Sequence, residues 1–172
     1  MMPLLIFFRC KLLEANMSID TRKVKGRREV RYKSLDDLLE DARCCVADGS
    51  TTIGNWSISQ IYQHLTEVLH AGIDGFPSSG FWPLRLMARI FFKHKMLRHG
   101  LPPGYNNPRL KPADIPIADA LAQFVTAIER FQANPARAPH PWWGALTNEE
   151  AVQFQLRHSE LHMSFIVAAE EN

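Results

Sequence analysis

The sequence predicts an all-α fold, a four-helix bundle in which a long helix 2–helix 3 connection carries an accessory helix. Three observations predict this fold class. Four segments repeat apolar residues at the three- and four-residue spacing of an amphipathic helix. Three of these segments begin at a serine or threonine, residue types that commonly cap a helix. No segment alternates apolar and polar residues as a half-buried strand does.

The first two helices have clear boundaries. The first begins at Ser34 and ends at Gly49, and the second begins at Ser57, with Gln60 completing a capping box. Gly72 and Gly75 are predicted to close the second helix. Their apolar positions recur at helical spacing and comprise Leu35, Leu38, Leu39, Ala42 and Val46 in the first helix, and Ile58, Ile61, Leu65, Val68 and Leu69 in the second.

The last two helices are bounded by similar signals. The third follows Pro116 and stops at Asn134, just before a proline. The fourth begins at Thr147, where Glu150 supplies a second capping box, and is predicted to run to about Ala169. Between the second and third helices, an apolar stretch from Phe81 to Leu97 predicts the accessory helix. Five prolines within residues 101–116 then predict an extended or turn-rich connection.

The composition is that of one globular domain. The chain has 172 residues, of which 46% are hydrophobic and 22% charged, which excludes wholesale disorder, collagen and a disulfide mini-protein. Twenty basic and eighteen acidic residues leave a net charge of only +2, which argues against a dedicated nucleic-acid binder. Three cysteines without a CxxC spacing indicate a reducing compartment, and we expect a cytoplasmic location.

The first 33 residues are predicted to form a flexible, basic tail ahead of a domain over residues 34–172. Residues 1–16 contain an apolar run too short to span a bilayer, which needs about 20 residues. We interpret them as a tail or as an over-long start, with Met17 as the alternative first residue. Residues 18–33 carry seven basic side chains, which we interpret as a solvated leader rather than a phosphate-binding arm.

Histidines provide the candidate functional site. His158 and His162 are one turn apart at the centre of the apolar face predicted for the fourth helix, and His64 lies at the rim of the apolar face of the second. Burying imidazole without a partner costs roughly 1–3 kcal/mol. A divalent metal bound by all three rings would compensate for that cost. Histidines that only pack in the core are the alternative.

These residues resemble the DinB/YfiT-like superfamily of four-helix bundles. The resemblance rests on Trp56-Ser57, on His64, on the HxxxH pair and on the loop His140-Pro141-Trp142-Trp143-Gly144, which is similar to the HP-aromatic-G loop of a branch of unknown function. It implies a metalloenzyme whose metal ligands correspond to His64, His158 and His162. It also implies a homodimer and, from characterised members, chemistry that depends on a low-molecular-weight thiol.

Two functions remain open. One is a divalent-metal-dependent enzyme, a thiol-dependent S-transferase or a hydrolase, acting on a small molecule. Zinc or nickel is favoured, and iron or copper is also compatible with imidazole ligands. His140 is a weak candidate for its acid or base. The alternative is a non-catalytic helical interaction module. We expect neither nucleic acid nor a membrane as a partner.

Overall fold

A computed structural model describes residues 18–77, 81–104 and 112–169; the interpretation of residues 1–16 therefore lies outside the described residues. Within this part of the chain the structure is mostly helical, as predicted. Its helices are α1 (Leu35–Ala47), α2 (Ile58–Asp74), α3 (Trp82–Met87), α4 (Lys93–His99), α5 (Ile117–Ala133) and α6 (Asn148–Met163). A π-helical turn, Ala88–Phe92, joins α3 to α4. Two short strands, β1 (Thr51–Thr52) and β2 (Ile166–Val167), pair antiparallel.

Capping boxes define where three helices start, at the residues that the sequence predicts. The hydroxyls of Ser34, Ser57 and Thr147 each accept a hydrogen bond from the backbone N–H three residues further on. In return, the side chain at that third position accepts from the N–H of the capping residue. Both bonds satisfy N–H groups that have no partner inside the helix. These caps set the start of the two helices that carry the histidines.

The end of α6 differs from the prediction. The helix stops at Met163, not near Ala169, because the chain turns at Ser164 and Phe165 and then enters β2. Val167 lies opposite Thr51 in the antiparallel pair, and Ile53 donates its N–H to the carbonyl of Phe165. The spacing of apolar residues within α6 does not indicate that the residues after it pair with β1, which lies far away in the sequence.

The four long helices share one hydrophobic core. α2 packs most extensively against α5, and α1 contacts both α5 and α6. Tyr62 of α2 stacks on Phe124 of α5, with ring centroids 5.4 Å apart, and donates its hydroxyl to the carbonyl of Ala42 in α1. Fully buried side chains come from all four helices and include Leu38, Ile61, Leu65, Ile128, Phe131, Leu156 and Met163. This core fixes the position of α2 relative to α6.

The accessory helix is attached to the domain through its second half. In α4, Leu97 is buried in a small cluster with Trp143 and Phe154, and the Lys93 ammonium lies 2.5 Å from the Glu150 carboxylate. The α3 half instead exposes most of its apolar side chains. No helix in the described ranges combines the length and hydrophobicity needed to cross a bilayer.

The segment just before α1 lies against the helices. Arg28 makes two hydrogen bonds to the carboxylate of Asp41, at 2.8 and 2.9 Å. The N–H of Tyr32 donates to Glu160 of α6, and the Tyr32 side chain is buried. These contacts attach residues 27–32 to the helices, while most of the basic side chains of residues 18–33 are exposed, and the interpretation as a solvated leader stays a prediction. The boundary between residues 33 and 34 stays a prediction.

Candidate metal centre

The structure brings together the three histidines that the sequence singles out. His64 lies midway along α2, while His158 and His162 lie one turn apart on α6. The Nε2 atom of His158 is 3.3 Å from Nε2 of His64 and 3.1 Å from Nε2 of His162. One ring nitrogen from each residue lies within 4.8 Å of the other two. Three nitrogen atoms from two helices therefore converge on one point.

Burial keeps these rings neutral. It lowers the pKa of His64 to about 4. The pKa values of His158 and His162 lie well below the usual range, mainly because the rings are buried. A smaller cause is repulsion, since a protonated ring would lie close to the positive charge of a neighbouring imidazole. A neutral imidazole has an unprotonated nitrogen whose lone pair can bind a cation. The cluster is therefore ready to act as a ligand near neutral pH.

Aromatic side chains fix the orientation of the rings. Trp56 stacks on His162, with centroids 5.4 Å apart and planes within 10°, and its ring is 5.0 Å from that of His64. Phe154 stacks on His158 with a centroid distance of 5.5 Å. The sequence gives only indirect signals for this role. Trp56 directly precedes the cap of α2, and Phe154 lies one turn before His158.

Two buried ring nitrogens lack hydrogen-bond partners within the described residues. They are Nδ1 of His64 and Nδ1 of His158. Gln60 and Gln155 donate their side-chain amides to the backbone carbonyls of Pro112 and Val68 and not to these nitrogens. These two nitrogens are thus buried without a polar partner that would compensate for the loss of water.

The spacing of the nitrogens fits a metal ion. With zinc–nitrogen bonds of about 2.0–2.1 Å and tetrahedral angles, two ligand nitrogens lie about 3.3–3.4 Å apart. The two separations at His158, 3.3 and 3.1 Å, are close to that value. Three imidazoles also supply the donor type that zinc, nickel, copper and iron accept. The cluster could therefore hold one divalent ion.

His140 occupies a separate position. Its Nδ1 accepts the backbone N–H groups of Trp142 and Trp143, both at 3.2 Å, and its ring stacks on Trp143. Burial and the nearby charge of Arg85 lower the pKa of His140 to about 4. The ring of Phe154 contacts both His140 and His158. His140 therefore borders the cluster through Phe154, and its role as an acid or base stays a prediction.

One family model matches this chain. It is described as "Protein of unknown function (DUF1569)" and matches residues 24–169, a range that includes part of the basic segment before α1, the accessory helix and all three clustered histidines. Neither the curated proteins nor the solved structures include a match to the chain.

Proposed function

The chain belongs to the DUF1569 family, proteins of unknown function, and we propose that it is a divalent-metal-dependent enzyme built on a DinB-like four-helix bundle. In this proposal α1, α2, α5 and α6 form the bundle. His64, His158 and His162 hold the metal, and the reaction is a thiol-dependent group transfer or a hydrolysis. The single observation that carries the proposal is the convergence of three neutral imidazole nitrogens in one buried cluster.

In this proposal the residues of the site have separate roles. His64 supplies one nitrogen from α2, and the pair on α6 supplies two, so binding requires both helices in their folded arrangement. Trp56 and Phe154 prevent ring rotation through their stacked contacts with His162 and His158. A divalent ion held by three neutral ligands keeps its full charge and supplies Lewis-acid activation of a water or a thiol.

The partial exposure of His162 supports a catalytic rather than a structural site. His64 is buried, whereas His162 retains contact with solvent. Structural zinc sites usually have four protein ligands, while catalytic sites have three and leave a position for substrate. In the described residues the cluster contains three histidines and no fourth cysteine, histidine or carboxylate. We therefore infer that a metal held here keeps a position open to a small molecule.

Cobalt(II) substitution tests this proposal directly. We expect visible d–d absorption that saturates at one equivalent of cobalt(II) per chain. Adding cysteine should then produce a near-ultraviolet sulfur-to-cobalt charge-transfer band, since a thiol can occupy the open position. A pH-dependent d–d spectrum without any response to thiol would favour the hydrolase over the transferase.

The controls separate this site from adventitious binding. His158→Ala should lose the cobalt spectrum, while His94→Ala, which removes an exposed histidine outside the cluster, should retain it. A saturated cobalt spectrum that changes with neither thiol, azide nor pH would contradict the proposal, because it would show a closed, structural site.

A non-catalytic helical interaction module is the second candidate function. The exposed apolar side chains of α3 favour it, since contiguous apolar surface commonly marks a binding face. This candidate predicts that the protein is fully stable without divalent ions and binds none. The cobalt titration therefore distinguishes the two functions.

A further inference from the structure

We propose that the helical segment Trp82–His99 is a membrane-surface anchor, which inserts its apolar side chains among the lipids of an anionic bilayer and lies parallel to the surface. This inference is independent of the metal site. It departs from the expectation that the chain has no membrane partner, which considered only a segment that spans the bilayer. An interfacial helix binds without spanning.

An unusual amount of apolar surface is exposed along α3, at Phe81 just before it and along the π-helical turn that follows it. Trp82 is 69% exposed, Phe91 is 61% exposed and Ile90 is 58% exposed. The other large apolar side chains that are exposed there are Phe81, Leu84, Leu86, Met87 and Phe92. Isolated exposed apolar residues are ordinary, but eight within twelve consecutive residues form a patch that water solvates poorly.

The exposed side chains point in several directions. At about 100° per residue, Trp82 and Leu84 lie roughly 160° apart around α3. A protein groove would cover one side of a helix and leave the other in water. A helix that lies parallel to the bilayer likewise buries one face; the charges of the segment distinguish a lipid surface from a protein groove.

The charges of the segment have one sign. Residues 81–99 include five lysines and arginines and no aspartate or glutamate. Arg89, Lys95 and Arg98 are exposed. Basic residues beside an apolar helix face are typical of helices that bind anionic lipids, because the cations remain among the headgroups. The charge pattern is therefore complementary to an anionic membrane.

A cationic hollow lies at the end of the segment. It has a volume of about 640 Å³, and its lining includes Arg31, Lys95 and Arg98 together with two histidines and no acidic side chain. Arg31, from the segment before α1, donates to the carbonyl of Arg98 at 2.6 Å and so lies next to α4. Arg31 is also paired with Glu160 at 3.4 Å, so in this proposal Lys95 and Arg98 contact the phosphate of a lipid headgroup while α3 contacts the acyl chains.

A second copy of the chain fits this surface less well. A symmetric dimer places the same patch on both sides of the contact. It would therefore concentrate the positive charge of both segments at one interface, and no acidic residue of the segment is present to neutralise that charge. An anionic lipid surface meets no such repulsion.

Vesicle flotation of the full-length protein tests the proposal. The probes are vesicles of phosphatidylcholine alone and vesicles with phosphatidylglycerol added. We expect flotation with the anionic vesicles only, weakening as salt is raised. Trp82→Asp/Phe91→Asp should lower the partition coefficient about tenfold or more, because both exposed rings leave the lipid. Ile19→Asp, at an exposed apolar residue outside the segment, should not change it.

Charge reversal provides the second comparison. Arg89→Glu/Lys95→Glu should also weaken flotation about tenfold or more. Lys25→Glu/Arg43→Glu changes the net charge equally at exposed sites outside the segment and should have a smaller effect. The substituted side chains are exposed, and unchanged circular dichroism will confirm folding.

Three results would overturn the proposal. The first is no flotation with anionic vesicles at low salt. The second is equal flotation of wild type and Trp82→Asp/Phe91→Asp, which would place the binding elsewhere in the chain. The third is a dimer in analytical ultracentrifugation that the same variant dissociates, because the patch would then be covered by a second copy.

Discussion

Aromatic rings outside the cluster pack against His158 and His162. Trp56 and Phe154 stack on two of the three imidazoles, while Nδ1 of His64 and Nδ1 of His158 have no hydrogen-bond partner in the described ranges. In many metal sites a carboxylate or carbonyl orients each ligand. Here packing supplies the orientation, so changes to the rings should affect metal affinity.

We therefore expect Trp56 to affect how tightly the metal binds more than how many metal ions bind per chain. Trp56→Leu removes the ring stacked on His162 and should weaken the binding of zinc roughly tenfold. This value is the lower end of the loss in affinity caused by changing residues that orient metal ligands. Competition with a chromophoric chelator measures the change. Trp82→Leu replaces an exposed tryptophan of α3 and should leave affinity unaltered. Equal affinities for wild type and Trp56→Leu would show that the stacking does not position the ligand.

His140 should make stability depend on pH. Burial lowers its pKa to about 4, so the unfolded chain, with a pKa near 6.5, takes up a proton before the folded protein does. Its contribution to the free energy of unfolding is full above pH 6.5 and is lost as the pH falls toward 4. The shift corresponds to about 3 kcal/mol.

Urea unfolding of chelator-treated protein at pH 7 and at pH 4.5 measures that dependence. His140→Gln should lose less stability over this interval than wild type, whereas His94→Gln, at an exposed histidine, should match wild type. If wild type and His140→Gln lost the same amount of stability, the neutral buried state of His140 would be refuted.

At the scale of elements, α1 and the segment before it are joined by one polar cluster. Asp41 accepts two hydrogen bonds from Arg28 and one from the hydroxyl of Tyr32. Arg28 and Asp41 are both partly buried, so solvent screens their interaction less than it screens an exposed pair. The cluster should therefore contribute measurably to stability.

Asp41→Ala is expected to lower the free energy of unfolding by about 2 kcal/mol, because it leaves the Arg28 guanidinium and the Tyr32 hydroxyl without their partner. Denaturant unfolding monitored by circular dichroism measures this change. Asp20→Ala is the matched control, since the Asp20–Arg22 pair has nearly the same length, 2.9 Å, but lies on the surface. Similar effects from both substitutions would contradict the assignment.

The elements differ in how far the sequence could predict them. The starts of α1, α2 and α6 were predictable because a capping box is a local pattern, complete within four residues. The end of α6 was not, because it depends on β2 pairing with β1 from a distant part of the chain. The contacts of Asp41 and Glu160 with residues 27–33 were not predictable either, since a run of basic residues does not show which side chains it will contact.

At the scale of the whole molecule, the three histidines of the candidate site could be predicted from the sequence, whereas the arrangement of the residues around them could not. His158 and His162 share a helix face by their spacing alone, and His64 lies on the apolar side of α2. Whether the two helices bring these rings together depends on packing, and the structure places them within hydrogen-bond distance. The separation of His140 from the cluster by Phe154 could not be derived from the order of residues.

The whole fold also explains why the cluster would bind metal only when folded. α2 and α6 are far apart in sequence, and the shared core of all four long helices holds them together. A metal bound at this cluster stabilises the folded state relative to the unfolded chain, because the unfolded chain does not preserve the arrangement of the three rings.

Metal stoichiometry shows whether the three histidines bind an ion. The protein should be purified without a histidine tag, offered zinc and nickel, desalted and analysed by elemental mass spectrometry beside His158→Ala/His162→Ala. We expect close to one divalent ion per chain in the wild type and almost none in the variant. No metal in either protein, or equal metal in both, would contradict this expectation and leave the histidines as packing residues.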